Sequence, residues 1–254
     1  MWVRFFGILI QRIIKEEYRR RFLMFAQLQA EIADKYGLQF NDLKLLEEAL
    51  TQANYINEHP GYQGRDYQRL EFLGDAIMQQ SSAVYLFQNY PDWDEGRLTE
   101  LRILMVQTRS FAALSRELHL DKYVQLGHGE EMSGARNRDS LLEDLWEAFI
   151  GALFLDQGQD AVMHLLDLVF FSKIKTGFYD RFVDYKSKLQ ELLQKHGSVE
   201  INYEKIAEEQ IENNEQIFTV AVSVNDKKLG AGQGKSTKEA EKAAARDAYQ
   251  SLTN

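Results

Sequence analysis

Residues 141–149 read LLEDLWEAF, and this stretch indicates a helix that is mostly buried. On a helical wheel its apolar residues cover well over half of the circumference. Asp144 and Glu147 occupy the remaining gap, three positions apart and therefore on one face. Gly151 is expected to leave open space beside them, one turn further on. Partly buried carboxylates repel one another and must take up a proton, pair with a cation or bind metal.

A second acidic helix is indicated by residues 69–75, which read RLEFLGD and place Glu71 and Asp75 on one helical face. The plain alternative is that each acid pair is solvated or paired with arginine, and Arg69 is the obvious partner. Two such pairs, each beside a glycine on an otherwise apolar helix, favour a site instead. Oxygen ligands select hard cations such as Mg²⁺ or Mn²⁺, and such a centre suits phosphodiester hydrolysis. Spacing alone also permits a di-iron bundle, but neither helix has the usual Glu-x-x-His.

The stretch from residue 25 to about 180 is predicted to be one all-helical domain. Apolar residues recur at helical spacing, and no strand-like alternation bounded by turns occurs there. Helices are predicted over 98–117, 140–155 and 161–171. Ser140 followed by Glu143 indicates a capping box at the start of the acidic helix.

The pattern changes after Tyr179. A helix is predicted at 184–196, strand-like runs at 202–207, 216–224 and 227–232, and a last helix at 236–252. Asn225-Asp226 offers a turn between the last two strands. The α-β-β-β-α order over residues 184–254 predicts a small α+β domain, with the boundary near 182–184.

Residues 1–24 form a basic, amphipathic extension. Its apolar run is much shorter than the ~20 residues of a membrane span, so integral membrane association is not expected. Three interpretations compete: a membrane-surface helix, a docking helix, or translated sequence upstream of a natural start at Met24. We favour the last.

Composition leaves the partner open. The chain has 254 residues, a formal charge of −9 and no cysteine. Lack of cysteine excludes disulfides and thiolate sites and is consistent with a reducing cytoplasm. The negative charge is the wrong sign for a simple nucleic-acid binder, so any RNA contact must come from a local basic cluster.

Three segments together resemble the ribonuclease III family. They are RLEFLGDA at 69–76, LGHGE at 126–130 followed by Ser133-Gly134, and the acidic block 142–156, in family order across about 130 residues. The resemblance implies a Mg²⁺-dependent homodimeric endonuclease, with Mn²⁺ as a substitute. Such enzymes cut double-stranded RNA, including ribosomal RNA precursors and structured messenger RNAs, leaving 5′-phosphate and 3′-hydroxyl ends with short 3′ overhangs.

The resemblance also implies roles for individual residues. Metal ligands would be Glu71, Asp144 and Glu147, with Asp75 and Glu147 as the catalytic acids. Phe72 would contribute to the dimer interface, with an ordinary core phenylalanine as the alternative. Auxiliary positions near the cleavage site would be Glu95 and Gln68, the latter standing where the family often has glutamate. A second departure is Thr51-Gln52-Ala53-Asn54, which replaces a THSS-like run.

The C-terminal part resembles a double-stranded RNA-binding domain, through YKSKLQE at 185–191 and the Gly/Lys-rich segment 230–245. Lysines at a helix N-terminus favour phosphate. The residues expected to meet RNA are Ser187, Gln190, Glu191, Lys235, Lys238 and Lys242. The acidic loop 212–216 lacks the family's Gly-Pro and His, which predicts a weaker second minor-groove contact.

Two other functions are disfavoured by the sequence. A non-cleaving RNA-binding protein that uses its helical domain only to dimerise should have lost some central acids, and this chain keeps them. A carboxylate-bridged oxidase is disfavoured by the missing histidines and by the C-terminal domain.

Overall fold

The computed structural model describes residues 2–195, 199–210 and 216–253, without the side chains of 2–15 and 17. The chain divides into two compact units, Met1–Phe182 and Val183–Asn254. The end of the helix predicted to reach residue 196 and most of the acidic loop 212–216 lie outside the described residues.

The first unit is helical. Its helices are α1 (Trp2–Tyr36), α2 (Leu43–Ala49), α3 (Ala53–Glu58), α4 (Gln68–Asn89), α5 (Glu95–Met105), α6 (Thr108–Glu117), α7 (Leu120–Tyr123), α8 (His128–Met132) and α9 (Asp139–Val169). Short 3₁₀ turns lie at Ala135–Asn137, Phe171–Lys173 and Phe178–Phe182. Helix α1 passes residue 24 without a break. No helix among the described residues has the length and apolar character needed to cross a membrane.

The second unit consists of α10 (Tyr185–Gln194), β1 (Ile201–Gln210), β2 (Gln216–Val224), β3 (Lys227–Gly234) and α11 (Thr237–Thr253). The sheet is antiparallel in the order β1-β2-β3. Val220 and Val222 point from β2 into a core shared with Leu189 of α10 and alanines of α11. The predicted all-helical unit followed by an α-β-β-β-α unit is confirmed. The turn at Asn225-Asp226 is also present, and both residues have positive φ, as tight hairpins require.

The prediction of one continuous helix over 98–117 is wrong, because the structure has two helices there, α5 and α6. Gln107 has extended backbone angles (φ −89°, ψ 157°), and its side-chain amide donates to the carbonyl of Leu104 (2.9 Å). The side chain thus satisfies a carbonyl that the end of α5 leaves without a helical partner. No glycine or proline marks this break, so apolar spacing alone did not reveal it.

Helix α9 (Asp139–Val169) contains the predicted helix 140–155 and all but the last two residues of the predicted helix 161–171, with a break at Gly158 (φ 80°). The predicted capping box at its start is not formed. The helix begins at Asp139 after Arg138, and no side chain caps it. Ser140 therefore lies inside the first turn, and the side chain of Glu143 lies near Thr108 of α6, which opposes the burial that raises the Glu143 pKa.

The packing of α4 against α9 organises the first unit, and it depends on two glycines. A Cβ added at Gly74 would overlap the backbone carbonyl of Glu147, and one at Gly151 would overlap that of Leu70. The expected open space beside Gly151 is therefore wrong, because the backbone of α4 fills it. This close approach sets the acidic faces of the two helices side by side.

Candidate active site

The four predicted acids come from the two packed helices, Glu71 and Asp75 from α4 and Asp144 and Glu147 from α9. Burial first, and then the charges of Asp75, Glu143, Glu71 and Asp144, raise the pKa of Glu147 to about 8. A carboxylate so affected has little water and no sufficient cation beside it. The structure thus brings all four predicted acids into one electrostatic centre.

Glu71 and Asp144 are also poorly disposed to ionise. Burial first, and then the charge of Asp144, raises the pKa of Glu71. Burial also raises the pKa of Asp144, while a hydrogen bond from Tyr67 and the charge of Arg138 oppose it. Asp75 is exposed and accepts a hydrogen bond from Gln79 (3.3 Å).

Two residues of this centre were missed from the sequence. Glu143, half-buried, acts electrostatically on both Glu71 and Glu147. Tyr67 is 6% exposed and donates its hydroxyl to Oδ2 of Asp144 at 3.1 Å. Helical spacing could have suggested Glu143, which lies one turn before Glu147, but the sequence has no signal for Tyr67.

The donor set fits a hard divalent cation by its chemistry, since every side chain is a carboxylate. It also fits by charge, since a cation would relieve the repulsion that raises these pKa values. In the described part of the chain, however, no three Asp, Glu or His side chains already converge as a metal site. Cation binding would therefore have to draw the carboxylates inward.

This electrostatic strain predicts how stability depends on pH. The folded pKa of Glu147, about 8, lies above its ordinary value of 4.5. The contribution of Glu147 to the free energy of unfolding is therefore complete below pH 4.5 and is lost as pH rises through about 8. Without metal, the melting temperature of wild type is expected to fall more steeply over that range than that of Glu147→Gln. Thermal melts in EDTA at several pH values measure the difference, and equal slopes for the two proteins would contradict the assignment.

The two auxiliary positions, Gln68 and Glu95, are both exposed at helix starts. Gln68 is exposed at the first position of α4, where its backbone N–H donates to Asp66 (3.1 Å). Glu95 is exposed at the first position of α5 and accepts a hydrogen bond from Thr99 (2.9 Å). Among the described side chains, the charges that act most strongly on Glu71, Asp144 and Glu147 do not include Glu95.

Phe72 is 81% exposed on α4, so the alternative of an ordinary core phenylalanine is wrong. A surface pocket of about 540 Å³ lies beside it, with an apolar wall formed by Leu70, Leu73 and Leu155. Further along α4, Val84 and Phe87 are also exposed apolar side chains. Exposed apolar patches mark protein contacts.

In the second unit, Ser236 and Glu239 form a variant of the capping box at the start of α11, in which Glu239 bonds the residue before Ser236. The hydroxyl of Ser236 accepts from the N–H of Glu239 (3.2 Å), and the carboxylate of Glu239 accepts from the N–H of Lys235 (2.9 Å). All three predicted lysines of this region are exposed: Lys235, Lys238 and Lys242. The box fixes the helix end whose dipole favours phosphate.

The other predicted RNA contacts lie on α10, and all three side chains are exposed: Ser187, Gln190 and Glu191. Asp184 caps this helix, accepting from the N–H of Ser187 (3.2 Å) and from its hydroxyl (2.9 Å). These hydrogen bonds, chiefly the one from the Ser187 N–H, lower the pKa of Asp184, and the charge of Lys242 adds to them. Lys242 of α11 therefore lies near the start of α10.

Two parts of the chain match known families. Residues 42–174 match the family described as Ribonuclease-III-like, and residues 185–252 match the double-stranded RNA binding motif. The Ribonuclease 3 of Leuconostoc mesenteroides is 62% identical over 221 residues, which are 87% of this chain and 94% of that protein. The Ribonuclease 3 of Oenococcus oeni is 56% identical over 226 residues, 89% of this chain and 98% of that protein.

A solved structure is also similar to the first unit. It is the nuclease domain of ribonuclease III from Campylobacter jejuni, 32% identical with a TM-score of 0.50, covering 56% of this chain and 97% of that one. Its description concerns structural flexibility in a region of that protein involved in dimer formation.

Proposed function

The chain belongs to the ribonuclease III family, and we propose that it cuts double-stranded RNA by metal-dependent phosphodiester hydrolysis. The observation that supports this most directly is the electrostatic centre of Glu71, Asp75, Asp144 and Glu147. A protein that only bound RNA would have no need for four carboxylates whose repulsion destabilises its own fold.

In this proposal Glu71, Asp144 and Glu147 hold Mg²⁺, with Mn²⁺ as a substitute. The bound cation would supply charge stabilisation and an activated water for attack on phosphorus. Asp75 is the most accessible of the four acids, which suits it to exchange protons with water during the reaction. Burial first, and then the charges of its neighbours, raise the pKa of Glu147 to about 8, which suits it to a direct bond with the cation. Glu95 and Gln68 would act as auxiliary residues toward RNA rather than within the centre.

Hydrolysis of this kind would leave 5′-phosphate and 3′-hydroxyl ends. Two such centres in a homodimer, one for each strand, would leave short 3′ overhangs. Exposed lysines at the start of α11, with the exposed polar face of α10, would hold the duplex backbone. Cytoplasmic ribosomal RNA precursors and structured messenger RNAs are the substrates that we propose.

The proposal is tested on a long RNA duplex with a 5′ label on one strand. Purified protein is expected to cut the duplex only when Mg²⁺ or Mn²⁺ is present, and to leave a single strand of the same sequence intact. Ligation of the products to a 3′-hydroxyl-specific adapter checks the end chemistry. Cleavage in EDTA, or equal cleavage of the single strand, would contradict the proposal.

A homodimer formed through α4 is part of this proposal, and the exposed Phe72 supports it. Phe72→Asp is expected to turn a dimer into a monomer, because it places a charge in an apolar contact. Sedimentation velocity at micromolar concentration measures the change. Met132→Asp is the matched control, since Met132 of α8 is 75% exposed and should leave the dimer intact. A Phe72→Asp protein that stays dimeric would exclude this interface.

A further inference from the structure

Tyr67 connects the two acidic helices through a side-chain hydrogen bond. It immediately precedes α4, is 6% exposed, and its hydroxyl donates to Oδ2 of Asp144 on α9 at 3.1 Å. A phenol O–H remains a donor at neutral pH, so Tyr67 donates and the carboxylate oxygen of Asp144 accepts.

The backbone of Tyr67 is held on both sides. Its N–H donates to the carbonyl of Thr51 (2.9 Å), and its carbonyl accepts from the N–H groups of Leu70 and Glu71 (2.9 Å each). Those last two hydrogen bonds form the first turn of α4. The residue that contacts Asp144 therefore also fixes the backbone of Glu71, so one rigid residue relates two acids from different helices.

The support behind Tyr67 is a buried polar segment. Thr51, with no exposed surface, accepts from the side chain of Gln125 (3.1 Å) and donates to the carbonyl of Glu47 (2.7 Å). The N–H of Gln52 donates to the carbonyl of Gln125 (3.0 Å), and the side chain of Gln52 is close enough to the Tyr67 hydroxyl to oppose the burial that raises the Tyr67 pKa. Thr51 and Gln52 begin the segment that departs from the family's THSS-like run. In this chain, that segment accepts the hydrogen bond from the backbone N–H of Tyr67 and so holds Tyr67 in place.

We propose that Tyr67 is a positioning residue for Asp144, one that fixes the carboxylate by holding Oδ2 and leaves the other oxygen for the divalent cation. The inference rests on the proposed function, since it assigns Asp144 as a ligand. A carboxylate ligand bound by an outer hydrogen-bond donor loses less conformational freedom when the cation arrives. Here that donor is rigid, because its ring is buried and its backbone is bonded on both sides.

A merely structural role for Tyr67 predicts something different. Loss of a satisfied buried hydroxyl would lower the free energy of unfolding but would leave cation affinity unchanged. The deciding readout is therefore the Mg²⁺ concentration that gives half of the full thermal stabilisation, measured without RNA. Removal of an outer donor of this kind reduces metal affinity by about tenfold or more.

The experiment compares wild type, Tyr67→Phe and Tyr62→Phe in thermal melts across a Mg²⁺ titration. Tyr62 is the matched control, because its half-buried hydroxyl bonds Thr51 of the same segment (3.2 Å) and no acid of the centre. The midpoint is expected to rise about tenfold for Tyr67→Phe and to stay near wild type for Tyr62→Phe. Duplex cleavage by Tyr67→Phe should recover at high Mg²⁺, because the lost property is affinity.

Each outcome decides the inference. Equal midpoints for the two variants would overturn the role of Tyr67 while leaving the metal centre in place. A wild-type protein that Mg²⁺ does not stabilise would overturn the metal centre and this inference with it. Should Tyr67→Phe not fold, Gln52→Ala replaces it. A rise in the midpoint would then support the inference, and an unchanged midpoint would contradict it.

Discussion

Glu147→Gln is expected to reduce cleavage of an RNA duplex by about a thousandfold or more. The substitution keeps the size of the side chain and removes only its charge. Loss of one charged ligand removes several kcal/mol of charge stabilisation, and each 1.4 kcal/mol corresponds to a factor of ten in rate. Single-turnover cleavage with excess enzyme measures the chemical step directly and excludes an effect of slow product release.

Binding of the duplex should survive the same substitution. The lysines that are expected to contact phosphate lie in the second unit, away from this carboxylate in sequence. Fluorescence anisotropy with a labelled duplex should give a dissociation constant within about twofold of wild type. Loss of binding together with cleavage would show that Glu147 serves RNA contact rather than chemistry.

Asp160→Asn is the control for charge. Asp160 is exposed on the same helix, beyond the break at Gly158, so the variant changes the net charge equally without touching the centre. Its cleavage rate should equal that of wild type. If Glu147→Gln cut the duplex as fast as Asp160→Asn does, the proposed catalytic centre would be wrong.

Gly74→Ala is expected to lower the free energy of unfolding by about 3 kcal/mol or more, which is a large share of the stability of an ordinary domain. The new Cβ would overlap the backbone carbonyl of Glu147, so one helix must move away from the other. Backbone cannot rotate aside as the end of a flexible side chain can. Urea denaturation of the variant and wild type measures the difference.

The same substitution should also impair cleavage beyond its effect on folding. Moving α9 away from α4 separates Asp144 and Glu147 from Glu71 and Asp75, and catalytic geometry tolerates little displacement. Gly151→Ala should behave alike, since its Cβ would overlap the carbonyl of Leu70.

Gly61→Ala is the matched control for both glycine variants. No heavy atom lies within 4 Å of a Cβ at Gly61, and its φ is not in the left-handed region. Its free energy of unfolding should change by no more than about 0.5 kcal/mol. If Gly74→Ala were as stable as Gly61→Ala, the two helices would not pack as closely as the structure shows.

Local patterns were sufficient for part of the fold. Apolar spacing identified the two acidic helices, and the alternation in β2 with the Asn225-Asp226 turn identified the sheet. Helices and strands repeat with different periods. The spacing of the apolar residues in a stretch that buries one face therefore indicates whether it is a helix or a strand. The same reasoning failed where no local marker exists, as at Gln107, where a side chain ends one helix in the middle of an unbroken apolar pattern.

The sequence by itself determined which acids share a helical face and which family they match. Only the tertiary structure decided that the backbone of Leu70 packs against Gly151. It also decided that Glu143 lies in the acidic centre instead of forming a capping box, and that Tyr67 hydrogen-bonds Asp144. Each of these is a contact between elements distant in the chain, 77 residues apart for Tyr67 and Asp144. Spacing within one helix has no information about what packs against it. The acidic stretch at 141–149 therefore predicted carboxylates in need of a cation, and the packing of α4 showed what surrounds them.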